Sequence, residues 1–359
     1  MKMRYCKEYF DDVRLVIDAM PDITSLFNKR ICITGATGML CSAVVDIIAL
    51  LNKERNAGIK LILAGRNKER VIDRFAGVLS AEEFDFAGFD AVKANSFLPE
   101  ADFYIHGASN ADPAKMSSEP VETMLSNLIG LKTVLDSAKE ADGSRVLFVS
   151  TGEIYGNKKP ESEGCRDKLD NLYKEDDYGY VDILNPRSCY PMSKRAAETM
   201  CVSYNREFGV DVVIARSCHS YGPGITESDS RASAVFTKNA AAGKDIVMKS
   251  AGEQVRSYCY TLDSASALLT ILLHGETAQA YNISNKDSIV TIRYLAETIA
   301  KAAGVKVVFE NPDDCEKKSY NMMNCSALDS GKLEELGWKP KFGVQDGVEA
   351  TIKYYDILN

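Results

Sequence analysis

Tyr190 and Lys194, four residues apart in "NPRSCYPMSKRAAETMC", are the side chains with the clearest chemical use in this sequence. The surrounding pattern is helical, with Pro191 near the first turn, where a missing N–H is tolerated. An i, i+4 spacing then puts phenol and ammonium on one helical face. A free tyrosine titrates near ~10 and is a poor base at neutral pH, whereas a neighbouring ammonium favours the phenolate. Such a pair can take a proton from an alcohol. The pattern is common on helix surfaces, so it gains weight only from company. "LFVSTGEIYG", residues 147–156, supplies it: an apolar strand ends in Ser150 and Thr151, and Glu153 follows two residues later.

A partner for an alcohol oxidation is implied further upstream. "RICITGATGMLCSAVVDII" places Gly35 and Gly38 between an apolar strand and a helix. Glycines there let backbone amides approach a pyrophosphate, which meets the helix N-terminus, so residues 35 and 37–40 (Gly35, Thr37, Gly38, Met39, Leu40) form a candidate dinucleotide cradle. Cys41 stands where a third glycine is expected, a small side chain in a helix-packing role. The chemistry that follows is removal of a sugar hydroxyl proton by Tyr190 with hydride passing to a nicotinamide, whose ribose Lys194 can also hold. At the end of the second strand, "LILAGRNKER" carries Arg66 and no carboxylate. That leans the cofactor from NAD toward NADP, since an arginine accommodates the extra phosphate. Asn95, after the third strand-like run, can bond the adenine edge or cap a turn.

The elements that must position these residues alternate along the chain. Strand-like runs "RICITG", "IKLILAG", "FDAVKA", "DFYIHGAS", "RVLFVS" and "VDVVIAR" are separated by helical patterns at about 38–55, 67–79, 119–140 and 189–208. Near-continuous apolar strands between helices predict an α/β, doubly wound parallel (Rossmann) sheet covered on both faces. Residues 1–28 read as an N-terminal helical extension, 29–217 as the dinucleotide-binding domain, and 218–359 as a smaller α+β substrate lobe with some elements returning to the first domain. The polar, irregular stretch 157–185 is long for an idle loop and reads as functional.

Composition narrows the partners. The 359 residues are 45% hydrophobic and 26% charged, with a net charge of −8, so there is no basic footprint for nucleic acid or an acidic membrane. The longest apolar stretch, "MLCSAVVDIIALL", is broken by Ser42 and Asp46 and is too short to span a bilayer. The first residues have no signal-peptide core. Ten scattered cysteines without a C-x-x-C pair read as reduced thiols of a cytoplasmic protein, and three distant histidines give no metal spacing.

Together "TGATGML", "HGAS", "STGEIYG" and "YPMSK" resemble the extended short-chain dehydrogenase/reductases, the NAD-dependent epimerase/dehydratase family, from about Lys29 to near the C-terminus. "HGASNADPAKMSSEPVETMLSNLIG", "SYGPG" and "GEQVRSYCYTLD" bring the chain closest to the UDP-glucuronate decarboxylase and dTDP-glucose 4,6-dehydratase branch. The resemblance implies a catalytic set of Thr151, Tyr190 and Lys194, with Glu153 as active-site carboxylate. It adds Ala108 and Ser109 to the cofactor residues, and Asn110, His219, Arg231 and Arg256 to those facing a nucleotide-diphosphate sugar. It also implies a homodimer through the helices near 119–140 and 189–208, and internal redox: oxidation at C4, alteration through a 4-keto intermediate, and re-reduction on the same cofactor.

Two departures bear on the reaction. Gly152 stands where the dehydratases carry an acid and the decarboxylases usually a serine, which disfavours dehydration and leaves decarboxylation and epimerisation. His219 stands where the family usually has asparagine, which together with the 157–185 loop points to a different sugar nucleotide. The competing expectations are an NADPH-dependent reductase of a keto-sugar nucleotide and a non-catalytic dinucleotide-binding protein.

Overall fold

Along the apolar runs, successive residues feed two separate cores, and that decides the architecture. Ile31, Ile33, Leu61 and Leu63 enter one core, whereas Cys32, Ile62, Tyr104, Val146 and Phe148 enter the other. A strand buried on both faces in this way belongs inside a parallel sheet. The computed structural model describes residues 5–94, 97–157, 172–311 and 325–356. Its main sheet comprises β1 (Arg30–Thr34), β2 (Lys60–Gly65), β3 (Phe84–Gly88), β4 (Phe103–His106), β5 (Arg145–Thr151), β6 (Asp211–Ser217) and β10 (Ala280–Ile283). Seven strands run parallel in the order β10-β6-β5-β4-β1-β2-β3. The order reverses between β1 and β4, the switch point outside which such sheets bind ligands. The register Thr34↔His106 and Thr151↔Ser217 aligns the carboxyl ends of β1 with β4 and of β5 with β6 at one edge.

The flanking helices follow the expected pattern with local changes. They are α1 (Lys7–Ala19), α2 (Met39–Arg55), α3 (Lys68–Phe75), α4 (Pro113–Ser118), α5 (Pro120–Glu140) and α6 (Cys189–Phe208). The helix expected over 119–140 is preceded by a separate short turn of helix, α4, capped by the Asp112 side chain; Pro120 then opens α5. The third strand is a correction: it lies at 84–88 rather than in "FDAVKA", residues 89–94. The earlier segment pairs with β2 from Leu61↔Phe84 to Gly65↔Gly88. Residues after it turn beneath α5, where Ala91 sits so close to Gly130 that a Cβ there would meet it at 2.9 Å. Asn95 and residues 158–171 of the long loop lie outside the described residues.

After β6, the chain builds a second layer. Strands β7 (His219–Tyr221), β11 (Ile289–Thr291) and β13 (Cys325–Ser326) all pair with β9 (Val255–Tyr260), and β8 (Ile246–Met248) pairs with β12 (Val307–Phe309). Helices α7 (Ala232–Ala241), α8 (Thr261–His274) and α9 (Ile292–Ala303) complete it with a terminal helix, Val344–Asp356. Helix α8 packs on α2, and β10 extends the main sheet beside β6. Among the described residues, no helix is long and apolar enough to cross a membrane.

The N-terminal helix is fastened to the helix that follows the glycine turn. Asp46, fully buried in α2, accepts hydrogen bonds from the Tyr5 and Tyr9 hydroxyls, both at 2.7 Å, and Arg74 of α3 lies 3.6 Å away. Burial raises the Asp46 carboxyl above its usual range, against the pull of Arg74 and the two phenols. Tyr9→Phe removes one donor and is expected to lower the unfolding free energy by about 1.5–3 kcal/mol, the worth of a hydrogen bond to a charged group. The urea midpoint measures it; an unchanged midpoint would mean that the Tyr9–Asp46 bond contributes nothing to stability.

Candidate active site

A cavity of about 280 Å³ opens at the switch point, lined by Gly35, Gly38, Met39 and Leu40 at one end and by Thr151, Glu153, Tyr190, Lys194 and His219 toward the other. Gly35 has φ +70°, and a Cβ there would come within 2.7 Å of the Ala108 amide nitrogen. Only glycine satisfies both conditions. Gly38 caps α2, its N–H donating to Gly35 O at 2.9 Å. The cradle is therefore shaped as a phosphate-binding turn, and a backbone that close to β4 leaves room for a dinucleotide along the helix N-terminus. Cys41 has a physical reason to replace glycine: its Sγ fills the space that a side chain on Gly107 would occupy. Burial pushes that thiol up to about 12.

Helix α6 brings Tyr190 and Lys194 under the carboxyl end of β5. Both are buried, at 7% and 2% exposure. The Lys194 ammonium donates to Val149 O at 2.7 Å and lies 4.6 Å from the Phe148 ring centre. Taken out of water, it titrates down at about 7, a shift that Glu198 opposes. The expected lowering of Tyr190 does not occur in the protein alone. Burial and the negative charge of Glu153 raise the phenol, opposed by a hydrogen bond with Thr151 and by Arg231 and Arg187. Burial is the largest cause, and Lys194, bonded to the Val149 carbonyl with its ammonium 5.8 Å from the Tyr190 ring centre, does not offset it.

Glu153 follows β5 in a short turn of 3-10 helix, Gly152–Tyr155, capped by the Thr151 hydroxyl, which accepts from Glu153 N at 3.2 Å. Its carboxylate is paired with Arg187, Nη2 to Oε1 at 3.1 Å, both side chains largely buried. Sequence reasoning passed over Arg187, although it lies three residues before Tyr190, in the 3-10 turn that leads into α6. Gly152 is also explained. A Cβ there would meet Leu328 at 3.0 Å, so a leucine from the segment after β13 holds the space of the missing side chain.

The residues expected to face substrate separate into groups. His219 lines the cavity, and burial with the charges of Arg256 and Arg231 lowers it to about 3, so the ring is neutral. Arg231, at the start of α7, also lines the cavity and is clamped to Asp229, Nη2 to Oδ2 at 2.5 Å. Arg256 is buried in β9 at 3% exposure, its Nη1 donating to Val255 O at 2.9 Å, and so is no surface salt bridge. Ser109 lines the cavity and starts a chain of side-chain bonds. Its hydroxyl donates to Asn127 Oδ1 at 2.7 Å, and Asn127 Nδ2 donates to Ser193 Oγ at 2.9 Å, tying this loop to α5 and α6. Thr37, Ala108 and Asn110 are half-buried around this edge without lining the cavity, and Arg66 is exposed at the end of β2.

The chain is also similar to known proteins. Residues 31–284 match the model of the NAD dependent epimerase/dehydratase family. The chain is 30% identical to UDP-glucuronic acid decarboxylase 5 of Arabidopsis thaliana, covering 89% of this chain and 87% of that protein. Among solved structures, a dTDP-glucose 4,6-dehydratase (DesIV) from Streptomyces venezuelae with NAD bound superposes with a TM-score of 0.74 at 23% identity, over 91% of this chain and 96% of that one. A mutant UDP-glucuronic acid 4-epimerase from Bacillus cereus, in complex with NAD, gives 0.74 at 19% identity, over 92% and 100%. Glycine turn, tyrosine–lysine helix and sequence relationship lead to one conclusion: the chain belongs to the NAD-dependent epimerase/dehydratase family of enzymes.

Proposed function

We propose that this enzyme oxidises a nucleotide-diphosphate sugar at C4, alters it through the 4-keto intermediate, and reduces it again before release. The observation that carries the reading is the convergence of Thr151, Glu153, Tyr190 and Lys194 on one cavity that begins at the Gly35–Gly38 turn. A bound dinucleotide would supply a hydride acceptor that later returns the hydride. Its pyrophosphate would lie against Gly35, Thr37, Gly38, Met39 and Leu40, and its nicotinamide ribose against Tyr190 and Lys194. Tyr190 takes the C4 hydroxyl proton and returns it; Thr151 bonds the phenol and the same sugar oxygen; Lys194 orients the ribose and brings positive charge to the phenolate.

Decarboxylation of a uronic acid is the first choice. With C4 a ketone, the C5–C6 bond breaks, its electron pair passes into the enolate, carbon dioxide leaves, and a proton is returned at C5. Glu153, paired with Arg187, would orient the water that supplies that proton, and the buried cations Arg187 and Arg256 around Glu153 suit a substrate that carries a carboxylate. The decarboxylases among the relatives support it. A second reading, 4-epimerisation, is favoured by Gly152: with Leu328 in its side-chain space, position 152 offers no proton donor, and epimerisation asks for none. The finer cofactor reading is NADP, from the exposed Arg66 and the lack of a carboxylate at that strand end. A homodimer through α5 and α6 is supported by apolar side chains left exposed there, Val121 and Met124 on one helix and Val202 and Phe208 on the other. The eight free thiols among the described residues suit a cytoplasmic setting.

Tyr190→Phe should keep dinucleotide binding near the parent value and abolish product formation; unchanged turnover would remove Tyr190 from the base role. Glu153→Gln should permit the first hydride transfer but halt chemistry at the neighbouring carbon, leaving reduced nicotinamide on the protein, visible by its near-ultraviolet absorbance. Full activity in that variant would make Glu153 structural. Incubation with UDP-, dTDP-, CDP- and GDP-linked sugars and product mass separates the reactions: loss of about 44 for decarboxylation, about 18 for dehydration, none for epimerisation. The nucleotide released on denaturing the same preparation tells NAD from NADP.

A further inference from the structure

Of the residues described along the cavity, two carry a buried polar atom without a partner: Nδ1 of His219 and Oγ of Ser326. A buried hydroxyl left unpaired is costly, and in a cavity that cost is removed when a ligand arrives. His219 already belongs to the site described above; Ser326 does not. It comes from the C-terminal part of the chain, is 4% exposed, and lies on β13 opposite Arg256 of β9. His219 lies on β7 opposite Tyr258. Positions 256 and 258 of one strand point to the same face, and so do their register partners. Ser326, Arg256 and His219 therefore lie on one face of these strands, and of the three His219 and Ser326 line the cavity.

That face is fixed in place. Just beyond Ser326, Ala327 O accepts from Tyr173 N at 2.9 Å, Leu328 N donates to Ser257 Oγ at 3.2 Å, and Asp329 N donates to Tyr173 O at 2.9 Å. The same segment puts Leu328 into the space of a side chain at 152. One stretch, 326–328, thus closes the position where a polar group is missing and brings a hydroxyl to the same cavity.

We propose that Ser326 is a substrate-contacting, specificity-determining residue, its hydroxyl bonding an oxygen of the sugar moiety and taking over the polar contact that position 152 lacks. The proposal rests on the reading of this cavity as a nucleotide-sugar site. Its test is calorimetric titration of the dinucleotide-loaded parent and Ser326→Ala proteins with UDP-glucuronate, UDP-glucose and UDP. Ser326→Ala should weaken the sugar nucleotide bound best by the parent by about tenfold, the worth of one hydrogen bond, while UDP and dinucleotide affinities stay unchanged. Equal sugar-nucleotide affinity in both proteins overturns the proposal and leaves the functional reading intact. Weakening of UDP to the same extent also overturns it, because a merely structural serine would act on both. A parent that binds UDP and neither sugar nucleotide overturns the sugar contact as stated here, and one that binds none of the three overturns it for uridine-linked sugars, while the functional reading stands or falls with turnover of the wider panel.

Discussion

A buried ammonium is the constraint around which the site is organised. Lys194 has almost no contact with water, donates to Val149 O, lies against Phe148 and titrates down at about 7. A charge kept in such a place requires a helix held rigidly against the sheet. Helix α6 is held by the side-chain chain from Ser109 through Asn127 to Ser193, and by Glu198, which accepts from the Ser150 hydroxyl at 2.5 Å and from Arg216 Nη2 at 2.7 Å. Strand β5, loop and helix thus meet through polar contacts, and the reacting groups at their ends inherit that rigidity.

Charge around the cavity is balanced in pairs. Arg187 faces Glu153, Arg231 faces Asp229, and Arg216 faces Glu198 beneath the sheet edge. Both histidines near the site are neutral by burial. His219 and His106 are each lowered to about 3, and His106 Nδ1 lies 2.8 Å from the Thr34 hydroxyl under the glycine turn. With the histidines neutral, Lys194 with Tyr190, and Glu153 with Arg187, are the pairs that the proposed reaction would use to move protons. That economy suits a reaction in which a proton leaves and returns to the same oxygen.

The sheet was legible because doubly buried parallel strands leave continuous apolar runs, and the glycine turn because Gly35 needs a positive φ. The misplaced third strand shows the limit. "FDFAG" and "FDAVKA" are adjacent and similar, and only pairing with β2 and the approach of Ala91 to Gly130 select the first. Tyr190, Lys194, Thr151 and Glu153 could be found by motif, since two lie at the carboxyl end of β5 and two in the first turns of α6. Arg187 was within the quoted segment but carries no signal until Glu153 folds against it. Leu328 and Ser326 were illegible for a different reason. Their position beside Gly152 and in the cavity comes from strand pairing across a long stretch of chain, and neither residue type announces chemistry.

The central claim is a closed redox cycle, in which the hydride taken from C4 returns to the same sugar. Supplying a turned-over sugar nucleotide deuterated at C4, with excess unlabelled reduced dinucleotide in solution, tests it most directly. A closed cycle gives product that keeps deuterium at C4 and a free dinucleotide pool without label. Deuterium appearing in the free reduced dinucleotide, with hydrogen at C4 of the product, would contradict it and mean that the cofactor exchanges between the two hydride transfers.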